Sequence, residues 1–280
     1  MAIAELKEAL ILLKRMPLLW IPGIIGGFLA AALWVIFNLS GTFFASRLLV
    51  ISGLVLLIFT TGMLVIIRND EGDIRAMLAG GIRYYFRVLL PQLIIIFGVM
   101  VIVILAMISF GLIGVTSDIS ILTALSIGFM IPTVILTFFY DTAAVFEDLR
   151  VFESLRRSIQ LVFTHIKDVV AFLFISAVIF FGIIFSLMII WEALLFDKLE
   201  PISQYNETQL QAFTPDQLIA MIGPSGMWIT AIIIFAGLFL LIPLFYSYKA
   251  CFFKKLAHGV VINQQPITGE YDSKGRYYKY

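Results

Sequence analysis

Six stretches of about 20 apolar residues constrain this chain more than any other feature. They run over residues 16–37, 48–67, 88–113, 119–140, 169–191 and 227–248. A helix rising about 1.5 Å per residue needs about 20 apolar residues to cover a hydrocarbon core about 30 Å thick. Without water in that core, every backbone N–H and C=O must be bonded within its own segment, and the helix does this. None of the six carries a charge at its centre, where Arg, Lys or Asp costs about 2.5–3.5 kcal/mol on insertion scales. Composition agrees: 61% of residues are hydrophobic and 13% charged, where soluble domains run near half and a quarter. The expected architecture is an all-α membrane domain over 1–256 with six transmembrane helices, followed by a polar tail over 257–280.

Lys and Arg orient the domain. With the N-terminus inside, the inner segments hold Lys7, Lys14, Arg15, Arg68, Arg75, Arg83, Arg87, Arg150, Arg156, Arg157, Lys167, Lys249, Lys254, Lys255, Lys274, Arg276 and Lys279, which is 17 of the 19 basic residues. Only Arg47 and Lys198 fall outside. The positive-inside rule therefore places both termini in the cytoplasm of a multi-pass cell-membrane protein. Glu5 and Glu8 precede a first span too long for a signal core, so that span reads as a retained helix.

The spans group as three hairpins, 1–2, 3–4 and 5–6. The third and fourth are joined only by 114–118, where Asp118 is expected to cap the next helix. Each hairpin follows a short segment with helical apolar spacing on the cytoplasmic side. The segments start at Leu6, Leu78 and Leu155, and three residues on stand small residues: Ala9, Gly81 and Ser158. Leu10, Ile82 and Ile159 follow at i+4, and Leu13, Tyr85 and Val162 at i+7. The expectation is a threefold unit, an interfacial amphipathic helix followed by a hairpin. Outside, residues 197–226 form the one sizeable loop. Thr214-Pro215-Asp216-Gln217 reads as a capping box opening a short helix that Gly223-Pro224 stops. Asn206-Glu207-Thr208 is a glycosylation sequon on the same side, with Asn206 as the acceptor.

Chemistry-bearing motifs are sparse. The chain has no phosphate-binding loop, dinucleotide fingerprint or HExxH, and its one cysteine, Cys251, excludes an internal disulfide. No catalytic residue, metal site, cofactor or nucleic-acid partner is indicated. The three glycines within 22–27 suit close helix packing. Pro132 and Pro243 each remove a helical hydrogen bond and are expected to kink the fourth and sixth spans. No acidic or basic residue falls inside a span, which argues against ion-coupled transport. The richest segment, 140–169, carries acids at 141, 147, 148, 153 and 168 and bases at 150, 156, 157, 165 and 167. Glu153 with Arg156 or Arg157 fits a salt-bridged helix face. Arg83, Arg87, Arg156, Arg157 and Lys167 are candidates for a basic ring that holds an anionic lipid phosphate.

The same segment carries a resemblance. Ala144-Val145-Phe146-Glu147-Asp148-Leu149, Glu153-Ser154-Leu155-Arg156-Arg157-Ser158 and Leu161-Val162 resemble a motif of the membrane domain associated with glycerophosphoryl diester phosphodiesterases. Related stand-alone multipass proteins of archaea and bacteria, of unestablished function, share it. The rest of the chain is similar only in layout, through Leu6, Lys7, Leu12, Leu13, Lys14 and Pro17 and the six spans. The resemblance implies a membrane domain and no phosphodiesterase activity, because the soluble catalytic barrel of about 250 residues has no room here.

The first reading of function is a non-enzymatic scaffold or accessory protein that binds anionic lipid or a protein partner, including a second copy of itself, at the cytoplasmic face. A small-solute or lipid transporter and an enzyme acting on lipid headgroups are the alternatives.

Overall fold

The structure, a computed structural model, describes residues 2–70, 72–112, 119–207, 209, 212–259, 269–271 and 277–279. Helix α1 (Ala2–Arg15) leads through a 3-10 turn, Pro17–Trp20, into α2 (Ile21–Ser40). Then come α3 (Thr42–Asn69), α4 (Ile74–Leu112), α5 (Ile119–Leu136), α6 (Tyr140–Phe146), α7 (Val151–Thr164) and α8 (Ile166–Leu194). The short α9 (Phe196–Leu199) and a 3-10 turn, Glu200–Gln204, precede α10 (Pro215–Gly259). In the tail, β1 (Gly269–Tyr271) pairs antiparallel with β2 (Tyr277–Lys279), Glu270 opposite Tyr278. The expected Asp118 cap and the 114–118 link lie outside the described residues.

Six helical segments are long and apolar enough to cross a membrane: Pro17–Ser40, Thr42–Asn69, Ile74–Ser109, Ser126–Phe146, Ile166–Leu194 and Asp216–Ala257. The chain is a multi-pass all-α membrane protein. In lipid, apolar side chains gain little by facing each other, so helices associate where backbones approach closely. Glycines make the closest approaches here. A Cβ on Gly23 or Gly27 would press into the Phe239 and Phe235 carbonyls of α10, and one on Gly62 or Gly81 would overlap the Met77 and Ile58 carbonyls across α3–α4. The most extensive helix pairs are accordingly α2 with α10 and α3 with α4. Neither unites the two spans of an expected hairpin.

Both buried clusters lie toward one end of the bundle, where α1, α6, α7 and the last turns of α10 gather. One holds Leu13, Leu19, Met63–Ile67, Met77, Tyr84 and Val145. The other is an aromatic knot. Phe172 stacks on Phe252 with ring centroids 4.4 Å apart and lies 4.5 Å from Tyr248, while Phe139 touches Phe172, Phe252 and Phe253. The Tyr248 hydroxyl donates to the Ala2 carbonyl at 2.9 Å, tying the two terminal helices together. This is called the basic end below, since Arg68, Arg87, Arg157, Lys249 and Lys255 bond there.

Several expectations change. The second of the three short segments is no separate helix: α4 runs unbroken from Ile74, because Pro91, the one helix breaker in it, is tolerated there. Pro132 and Pro243 stand inside α5 and α10, and α10 also has non-helical backbone at Gly223 (φ 61°). The fourth span does break, five residues past Pro132, at the turn 137–139. Glu153 forms no ion pair with Arg156 or Arg157; it accepts the Arg150 backbone N–H at 3.0 Å and caps α7. The capping box of the outer loop forms, with Thr214 N–H donating to Gln217 and Gln217 N–H to Thr214. Lys198 bonds the Ile222 carbonyl at the end of that short helix.

Candidate functional site

The break between α5 and α6 organises the basic end. After Leu136 the helical ladder lapses, and Ser158 of α7 fills the gap. Its hydroxyl accepts the Phe139 N–H at 3.0 Å and donates to the Leu136 carbonyl at 2.9 Å. The small residues Thr142, Ala143 and Ala144 then let the middle of α6, residues 141–145, sit buried in the packed end. At its far end Arg68 donates to the Val145 carbonyl at 2.8 Å. The two acids that follow each take an arginine. Glu147 receives Arg157 in a fork, Nε at 2.8 and 3.0 Å and Nη2 at 2.8 Å, with the arginine side chain 5% exposed. Asp148 receives Arg87 at 2.6 Å and the Tyr84 hydroxyl at 2.7 Å. The Tyr84 bond, and Arg87 with Arg83 nearby, hold the Asp148 carboxyl below its ordinary value.

The structure gives the five expected headgroup residues different surroundings. Arg87 pairs with Asp148 and Arg157 with Glu147. Arg83 lies beside the Tyr84 ring, 5.5 Å from its centroid. Arg156 and Lys167 are exposed. Exposure follows the three sequence segments in register. Ile3, Lys7, Leu10 and Lys14 face outward on α1, Arg75, Ala79, Ile82 and Phe86 on α4, and Phe152, Arg156, Ile159 and Phe163 on α7. The small residues Ala9, Gly81 and Ser158 are buried at equivalent positions. Asn206 is exposed, and its side-chain oxygen accepts the Gln209 N–H.

Sequence reasoning missed an ion pair. Asp141, second residue of α6, meets Lys249 of α10 at 2.6 Å, each side chain 8% exposed. Both fall one residue beyond a charge-free hydropathy window, yet both lie inside the helical spans Ser126–Phe146 and Asp216–Ala257. The expectation that no charged residue stands within a span is thereby corrected: helix packing carries the segments on past their first charge, and the two charges neutralise each other. Beside the pair opens a cleft of about 290 Å³ between α3, α4, α6 and α10, with Thr60, Thr61, Gln92, Tyr140, Asp141 and Tyr246 among its walls. Among the described residues no cluster of His, Cys, Asp and Glu could hold a metal.

No curated protein and no solved structure matches the chain. A family model described as a domain of unknown function, DUF7847, matches residues 1–256. The chain belongs to the DUF7847 family.

Proposed function

We propose that the protein is a non-enzymatic scaffold or accessory protein of the cell membrane whose cytoplasmic face engages anionic lipid. One observation carries this reading: the outward row Phe152, Arg156, Ile159, Phe163 on α7, continued by exposed Lys167. Apolar and cationic side chains alternate there at helical spacing, while the opposite face is buried. A helix with that division lies at the level of the headgroups, its rings among acyl chains and its cations toward phosphate. The matching rows on α1 and at the start of α4 support a threefold arrangement around the same face, with three hairpins and both termini cytoplasmic. A non-catalytic role is supported by Glu147, Asp148, Arg157 and Ser158, each of which is bonded to the protein itself.

The test compares acidic lipid retained per protein, by native mass spectrometry from mild detergent, in wild type and in Arg156→Gln/Lys167→Gln. Each exposed cation contributes about 1 kcal/mol at an anionic surface, so a clear fall in phosphatidylglycerol with phosphatidylcholine unchanged is expected. Equal retention in the folded variant defeats the reading. Orientation is checked by Asn206→Cys and Asp272→Cys in a Cys251→Ser background: the first should label only from outside, the second only from inside.

A further inference from the structure

We propose that the outer halves of α4 and α5 form a hinged arm that swings over the cleft between α3, α4, α6 and α10 and sets how far it opens to the lipid. The proposal does not depend on the surface-lipid reading.

The arm stands clear of the bundle. Residues 127–132 of α5 are all exposed. Six successive residues go round a helix of about 3.6 residues per turn more than once, so no side of that turn is closely covered. Among the described residues, α5 packs on α4 and on α7 and makes no extensive contact with α3, α8 or α10. On α4, Gln92, Leu93, Ile94, Ile96 and Phe97 are exposed likewise. A Cβ on Gly98 or Gly128 would meet nothing within 4 Å, whereas one on Gly80 or Gly81, earlier on α4, would overlap Val65 or the Ile58 carbonyl of α3. Tyr84 and Arg87 of α4 are also held, both by Asp148. The helix is thus fastened up to Arg87 and loose after Pro91.

Each helix has a weak joint at the base of the arm. Pro91 has no N–H, so α4 lacks there the bond to the Arg87 carbonyl. Between α5 and α6 the ladder tightens to three-residue steps, with the Phe138 N–H on Ile135 at 3.3 Å and the Tyr140 N–H on Thr137 at 3.2 Å. The Phe139 N–H leaves the ladder for the Ser158 hydroxyl. The two joints lie at one level, since Val88 and Gln92 on either side of Pro91 line the same cleft as Tyr140, the residue after the turn. Two helices joined in sequence turn as a unit about such a pair of joints. Lipid tails are as apolar as the side chains of α3 and α10, so the arm exchanges one set of contacts for the other at little cost. Swinging toward α3 and α10 covers the cleft of about 290 Å³, and swinging away uncovers it.

The experiment measures distances between paired spin labels in the full-length protein in phosphatidylcholine nanodiscs, in a Cys251→Ser background. Ile104→Cys on the arm with Phe185→Cys on α8 reads the swing. Phe86→Cys, before Pro91 on the same helix, and Val50→Cys on α3, each with Phe185→Cys, are the references. All four side chains are exposed. A bend of about 20°, the size expected at a proline, over the roughly 20 Å of helix from Pro91 to Ile104 moves the arm label by about 7 Å. The arm pair is therefore expected to give a distribution broader than either reference by about 7 Å, or two populations about that far apart. Pro91→Ala, which restores the missing bond, is expected to narrow it. A wild-type arm pair no broader than the references overturns the proposal. So does a spread as wide at Phe86 as at Ile104, which would be motion of the whole helix, and so does an unchanged spread in folded Pro91→Ala. Should Pro91→Ala fail to fold, the wild-type comparison of Phe86 with Ile104 decides alone.

Discussion

The two ends of the bundle are built on different terms. At the basic end, side chains from α1, α3, α6, α7, α8 and α10 interlock around fully buried aromatics. Toward the other end, α4, α5 and α8 turn mostly apolar side chains outward, Phe97, Leu105, Phe129, Phe181 and Phe185 among them. Large apolar side chains are plentiful in both regions, so their presence alone does not separate them. What separates them is the set of directional contacts at the basic end: the Ser158 bridge, the Arg157 fork, the Asp141–Lys249 pair and the glycine crossings. In a bilayer an outward Phe has already found its solvent, whereas a carboxylate must find a partner. Stability should therefore reside at one end of helices that traverse both.

Helix α8 offers the sharpest break of that comparison, because it contributes to both ends. Phe172 is 0% exposed in the aromatic knot, and Phe181 on the same helix is 66% exposed. Phe172→Ala should cost about 3–5 kcal/mol, as ring removals from packed cores do, and Phe181→Ala within about 0.5 kcal/mol. Chemical denaturation in mixed micelles reads both, and similar losses would show that the outer half is packed as well. A smaller effect comes from the crossings. Gly81→Leu should destabilise by about 1–3 kcal/mol, since the Ile58 carbonyl occupies the space. Gly53→Ala, with nothing within 4 Å, should leave the thermal midpoint unchanged. Smallest is the contribution of Asp148. Its carboxyl is held below its unfolded value of about 3.9, so its share of stability is present above that pH and is lost as pH falls through the folded value. Wild type should begin to lose its thermal advantage over Asp148→Asn as pH falls from about 5 to about 3, a window chosen about that reference. A constant difference across that window would mean that the Tyr84 and Arg87 contacts do not favour the ionised form.

Much of this was legible in the sequence, for physical reasons that also mark where legibility stops. Spans follow from hydropathy because insertion is a local free energy. The small residues at 9, 81 and 158 stand at close approaches because helical spacing fixes one face, and all three are buried. The outer capping box is four residues long and forms as written. Asp141 and Lys249 pair across more than a hundred residues of sequence, and no periodicity encodes it. Arg157 shows the same limit at shorter range: helical spacing offers Glu153, yet the turn after α6 brings Glu147 closer, and a fork in a buried setting outcompetes an exposed i, i+4 pair. The break at 137–139 was hidden because hydropathy runs straight through it.

The bond from Tyr248 to the Ala2 carbonyl has a consequence for how the protein comes into being. Chains are made from the N-terminus, so α1 exists long before the residues it docks on. Glu5, whose partner is Lys255, must wait through the insertion of all six spans with its carboxylate unmatched. Completion of the last helix is thus the step that seals the first, and a chain halted before residue 248 would leave its N-terminal helix unanchored.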